Sequence, residues 1–143
     1  MDLAHFTASL RSHRGSSRPS TVEAIYATAH WLLARDRAAD AAKVFRVMLR
    51  VAPRDERGWL GLGECHERID QLRIAAELYG AGSVIAGGRS ISVRCLLARA
   101  RLLAKLGRSS DVEGILDTAE QAAAAQNDEE LVGLVAKERR RLS

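Results

Sequence analysis

A chain of 143 residues is long enough for one domain with a sizeable core. It is 47% hydrophobic and 28% charged with a formal net charge of +4, an ordinary globular balance, and it has no apolar run long enough to span a bilayer. Ala, Leu, Arg and Glu dominate, only Pro19 and Pro53 could break a helix interior, and alternating β-branched runs are absent, so an all-α fold is predicted.

In chain order, Leu3, Phe6 and Leu10 stand at helical spacing and predict a short N-terminal helix that offers a homodimer contact. Ser12–Ser20 is rich in Ser, Arg and Gly and reads as a linker, so residues 1–20 form a helix and polar linker ahead of a domain at 21–143. Residues 1–18 carry Arg11, Arg14 and Arg18 without an apolar stretch of signal-peptide type, which predicts a cytoplasmic protein. Ser20-Thr21-Val22-Glu23 and Ser110-Asp111-Val112-Glu113 have the form of capping boxes, and Asn127 with Glu130 is a looser third.

Residues 56–89 carry Trp59, Leu62, Gly63 and His66, then Ala75 and Tyr79. This is W-x2-L-G-x2-H followed by A-x3-Y, against a tetratricopeptide pattern of W-x2-L-G-x2-Y with A-x3-F. One period of 34 residues earlier, Ile25, Leu32, Ala41, Phe45 and Pro53 fall in the corresponding positions, with Thr28 and Ala29 replacing Leu-Gly. A third copy fits if a few residues are inserted within Ser83–Ser92, which brings Leu96, Ala100, Leu103, Gly107, Val112, Leu116 and Ala119 into register. The expected architecture is three tandem helical hairpins at about 22–55, 56–89 and 93–126, wound as a right-handed superhelix. An amphipathic helix at 128–142, with Leu131, Leu134, Val135 and Leu142 on one face, caps the exposed end.

In such a stack the first helix of each hairpin lines the concave surface. The candidate peptide-binding residues are therefore Tyr26, His30, Leu33, Leu60, Glu64, Leu97 and Arg101, aliphatic and aromatic groups edged by charge that suit an extended peptide. A clamp for a C-terminal carboxylate would need Lys and Asn in the first two repeats, where Tyr26, His30 and Gly61 stand. Residues 89–108 hold Arg89, Arg94, Arg99, Arg101, Lys105 and Arg108 with no acid, and Asp111, Glu113, Asp117 and Glu120 on the next helix are the expected partners. No aromatic stacking platform or reader motif accompanies these charges, so nucleic acid is the minor reading beside a protein-interaction scaffold.

Catalysis, metals and cofactors find no support. His5, His13, His30 and His66 are scattered, and His66 is expected to pack in the core at the repeat's Tyr position. Cys65 and Cys95 lack metal-ligand spacing and read as buried reduced thiols, and Gly61-Leu62-Gly63 has no lysine at phosphate-loop spacing.

The run Ala41-Ala42-Lys43-Val44-Phe45, then Trp59-Leu60-Gly61-Leu62-Gly63-Glu64-Cys65, then Ala75 and Tyr79-Gly80-Ala81, resembles the tetratricopeptide chaperones of bacterial type III secretion. The resemblance covers roughly residues 22–125, and its specific part is 41–81. It implies a cytoplasmic chaperone, often dimeric, whose concave groove receives an extended segment of a secreted translocator subunit. This chain departs from the family in being basic and in having a groove poorer in aromatics.

Overall fold

The computed structural model describes residues 18–143, with side chains from Thr21 onward. Seven helices fill this span: α1 Arg18–Ala34, α2 Ala38–Val51, α3 Glu56–Arg68, α4 Leu72–Ile85, α5 Val93–Lys105, α6 Ser109–Ala125 and α7 Glu129–Leu142. No strand occurs among the described residues. The expected N-terminal helix and its dimer contact through Leu3, Phe6 and Leu10 lie outside the described residues.

Four three-residue turns join α1 to α2, α3 to α4, α5 to α6 and α6 to α7 by one device. Each places a residue in the left-handed region: Asp36 (φ 59°), Asp70 (φ 61°), Gly107 (φ 76°) and Asn127 (φ 52°). The next amide then reaches back over the last turn, as Arg37 N–H does to Leu32 O at 3.0 Å, Gln71 N–H to His66 O at 2.8 Å and Arg108 N–H to Leu103 O at 2.9 Å. This closure satisfies carbonyls that a helix end otherwise leaves unpaired. Asp and Asn tolerate the conformation through short polar side chains, and Gly has no Cβ to strain.

Side-chain caps open the two helices that follow longer connections, α3 and α5, and also α7, which follows a tight turn. Asp55 accepts from Arg57 N–H at 3.1 Å, Ser92 from Cys95 N–H at 3.3 Å and Asp128 from Leu131 N–H at 3.2 Å. The three capping boxes read from the sequence are therefore corrected. Ser20 lies inside α1, which runs over Arg18–Ala34 among the described residues, rather than ahead of it. α6 begins at Ser109 directly from its tight turn without a side-chain cap, and the third cap is Asp128 rather than Asn127.

α3 shows how the chain builds two interfaces from one helix. Gly58, Gly61, Leu62 and Cys65 recur at helical spacing and face α2, where a Cβ on Gly61 would stand 2.2 Å from the Phe45 ring. On the other side Gly63 lies against the Tyr79 ring of α4 at the same 2.2 Å, and Gly82 of α4 lies against Trp59. Glycine is required at these positions because an aromatic ring from the neighbouring helix occupies the space of the missing side chain. Two cores result. One gathers Leu32, Phe45, Met48 and Leu62 from α1–α3, and the other gathers Tyr79, Leu96, Leu102, Leu116 and Val135 from α4–α7.

The α2–α3 connection has four residues, 52–55, and the α4–α5 connection has seven, 86–92, so the third hairpin starts three residues late. Gly87 packs so closely on Ser90 O and Ile91 Cα that no side chain fits, and Gly88 takes φ +61°, which gives the insertion a defined loop. The step from α3 to α5 is consequently 37 residues, as the inserted register requires. Among the described residues α1 touches α3, α3 touches α5 and α5 touches α7, whereas α2, α4 and α6 do not touch one another. The first helices of the hairpins therefore form the inside of the curve.

Candidate functional site

The inner helices enclose a concavity of about 770 Å³ between α3, α5 and α7. With a step of 37 residues, equivalent positions on the three helices form rows across it. Leu60, Leu97 and Leu134 make an apolar row. Glu64, Arg101 and Glu138 make a row of alternating sign, one helical turn further on. Arg68, Lys105 and Arg141, the last displaced by one residue, make a cationic row at the C-terminal ends of the helices.

Four of the seven residues expected from the sequence, Leu60, Glu64, Leu97 and Arg101, line this concavity. The other three do not. Leu33 is 4% exposed and packs in the first core, because α1 turns this face onto α2 and α3. Tyr26 is half-buried, its ring edge-on to Phe45 and covered by the Arg57 guanidinium at 4.5 Å. His30 is exposed beside Tyr26, with ring centroids 5.9 Å apart.

Sequence reasoning treated α7 as a cap and missed that Leu134, Lys137, Glu138 and Arg141 form the far wall. The usable signal was their i, i+3, i+4, i+7 spacing, which places all four on one helix face.

Part of the basic stretch is paired, chiefly with partners other than those expected. Arg94 of α5 bridges Glu56 of α3 and Glu130 of α7, each at 3.2 Å, and Arg101 pairs with Glu138 at 3.2 Å. Of the acids expected to serve it, only Asp111 does, pairing with Arg108 at 2.8 Å. Glu113, Asp117 and Glu120 instead converge on Arg139 of α7 at 2.9–3.1 Å. The reason is geometric: Arg94 and Arg101 lie on the inner face of α5, whereas those three acids face α7.

Arg57 performs the corresponding task one repeat earlier, holding Glu23 of α1 at 2.6 Å and its own cap Asp55 at 2.8 Å. Its hydrogen bonds keep both carboxyls below the usual carboxylate range, and the two acids raise the guanidinium in turn. Such half-exposed pairs contribute little stability each, so their effect is to set the register of neighbouring helices.

At the far end of the groove the Tyr79 hydroxyl donates to Glu67, and burial together with that bond pushes the phenol well above its ordinary value. Arg68 donates to Leu33 O at 2.9 Å and to Glu64 at 3.1 Å. His66 is half-buried rather than a core residue, with Nδ1 2.6 Å from Gln71 Oε1. Cys65 and Cys95 are buried free thiols, each pushed up to about 11 chiefly by burial. Among the described residues no group of His, Cys, Asp and Glu could hold a metal ion, and no helix is long and apolar enough to cross a membrane.

Fold and groove together define an all-helical tandem-hairpin protein with a concave, partly apolar recognition surface. No family model and no curated protein matches the sequence. Solved structures do match. The type III secretion translocator chaperone SycD of Yersinia enterocolitica is 27% identical, with a TM-score of 0.73 over 87% of this chain and 89% of that one. SycD in complex with a peptide of the translocator YopD is 26% identical, with a TM-score of 0.67 over 86% and 92%. PcrH of Pseudomonas aeruginosa shares the fold at 24% identity, with a TM-score of 0.69 over 86% and 92%. The chain thus has the tetratricopeptide-like helical fold of the type III secretion translocator chaperones.

Proposed function

We propose that this protein is a non-enzymatic chaperone that holds an extended, partly apolar segment of a type III secretion translocator, or a related secreted subunit, before export. The observation that carries this reading is the row Leu60, Leu97 and Leu134 on the floor of an open concavity edged by charge. An extended segment can lay apolar side chains on such a row while its backbone stays near polar walls. The likeness to a chaperone solved with a translocator peptide supports it. The proposed site is Leu60, Glu64, Leu97 and Arg101 with Leu134, and Tyr26 and His30 extend it along α1. The proposed domain is 21–143, with hairpins at about 22–55, 56–89 and 93–126 and a final helix at 128–142 that also walls the groove. Holding a subunit before export places the protein in the cytoplasm.

Leu97 is 6% exposed, so a charge there would disturb the core as well as the groove. Leu60 and Leu134 are half-buried and make the cleaner test. Leu60→Glu and Leu134→Glu are expected to keep the helical circular dichroism of the wild type and to lose binding to tiled translocator peptides in calorimetric titration. Normal binding by both variants would overturn the groove reading.

A further inference from the structure

The rows of the groove differ in how fully their charges are used. Arg101 and Glu138 satisfy each other, and Arg68 is held by Glu64 and by the Leu33 carbonyl. Three cations of the lining remain weakly engaged. Lys105 and Arg141 each reach their nearest carboxylate, Glu67 and Glu138, only at 4.0 Å, and both are mostly exposed. Lys137 has no ion pair and is exposed.

In all, the lining holds six cations (Arg68, Arg94, Arg101, Lys105, Lys137 and Arg141) against Glu64, Glu67 and Glu138. Arg94 is already matched by Glu56 and Glu130 outside the lining, so the excess lies at the C-terminal ends of α3, α5 and α7, whose helix dipoles of about −0.5 each offset part of it.

We infer that the groove selects segments bearing carboxylates beside their apolar anchor, received by Lys105, Lys137 and Arg141. This rests on the groove reading above and names the class of segment it takes. The spacing follows from the helix rise. From Leu97 to Lys105, or from Leu134 to Arg141, is about 10–12 Å along the axis. An extended chain covers that distance in about three or four residues. Lys137, one turn from Leu134, takes a carboxylate nearer the anchor. Lys105, Lys137 and Arg141 are largely exposed, so these attractions are modest and screened by salt. Complementary charge of this kind sets which segment binds and how fast it docks.

The test uses the full chain to select from a random twelve-residue peptide display library. Selected peptides should carry Asp or Glu within about four residues of an apolar position. Changing that acid to its amide should weaken binding about three- to tenfold, and added salt should shrink the difference. In the double variant Lys105→Gln, Arg141→Gln the acid and amide peptides should bind nearly alike. Both substitutions sit at exposed positions, so circular dichroism should be unchanged.

Selected peptides with neutral flanks, lost in Leu60→Glu, would overturn the acidic preference and leave the groove reading standing. Peptides that bind Leu60→Glu as well as wild type would overturn both. An oligo-dT strand that displaces the peptides at matched charge would show a general polyanion surface and likewise sink the proposal.

Discussion

The two cores of this molecule solve one packing problem in different ways. In the first, α1–α3 close around large groups: Phe45 is 1% exposed, Met48 is fully buried, and the Phe45 ring occupies the space above Gly61. In the second, α4–α7 pack mainly Ala, Leu and Val, and the inner helices leave an open concavity above Leu60, Leu97 and Leu134. A ring wedged against glycine brings two helices together and fills the space between them. Aliphatic packing spreads the same burial over many side chains and leaves Leu60 and Leu134 half available to a ligand. The second half uses the ring-on-glycine contact too, with Tyr79 against Gly63, but most of its burial is aliphatic.

The sharpest way to break this contrast is to remove the wedge. Phe45→Ala should cost about 3–5 kcal/mol, whereas Leu116→Ala in the second core, also 1% exposed, should cost about 2–5 kcal/mol. The more telling difference is in its reach. Phe45→Ala should loosen α1–α3 ahead of α4–α7, seen as faster amide exchange confined to residues 21–68 and a shallower denaturant slope. Uniform exchange across both halves would show a single cooperative unit.

A smaller effect comes from filling glycines. Gly61→Ala and Gly63→Ala push a Cβ to 2.2 Å from an aromatic ring and should each cost about 1–3 kcal/mol in chemical denaturation. Gly114 in α6 and Gly133 in α7 have nothing within 4 Å, so Ala there should stabilise by up to about 1 kcal/mol through helix propensity.

The first core was the more legible half. Ala41, Phe45 and Leu62 stood in the sequence at repeat spacing, and the repeat explains why: close helix approach needs small residues opposite large ones. The register of the third hairpin was legible too, since Gly107 falls where Asp36 and Asp70 take the left-handed turn. What the sequence hid were relations between helices. The Glu56–Arg94–Glu130 bridge spans residues about 37 apart and leaves no local pattern. Ser110 looked like a cap because Ser and Glu stand three apart, but α6 already begins at Ser109, so Ser110 lies inside it. Leu33 looked like a groove residue because α1 was read by analogy with α3. In α1 that position falls in the first core with Phe45 of α2 and Leu62 of α3.

The two thiols offer the finest comparison, because one lies in each half. Cys65 belongs to the first core, and Cys95 sits under Gly82 at the α4–α5 contact in the second. Both are pushed up to about 11 from an ordinary 9.0, so the folded state favours the neutral thiol. With a raised folded value, this stabilisation is complete below about pH 9 and is lost as pH rises through about 11. The double variant Cys65→Ala, Cys95→Ala should therefore show a flatter decline in stability over that window than the wild type. Only the thiolate attacks a disulfide reagent, so at pH 8 labelling must wait for local opening. Among the described residues the first core holds ten buried residues and the second sixteen, and the smaller core is the one expected to open more readily. Cys65 should accordingly label faster than Cys95 in single-cysteine variants, and a groove-bound peptide should slow Cys95 more than Cys65, since its contacts lie chiefly on α5 and α7. Equal slowing of both would mean that ligand binding couples the two cores into one unit.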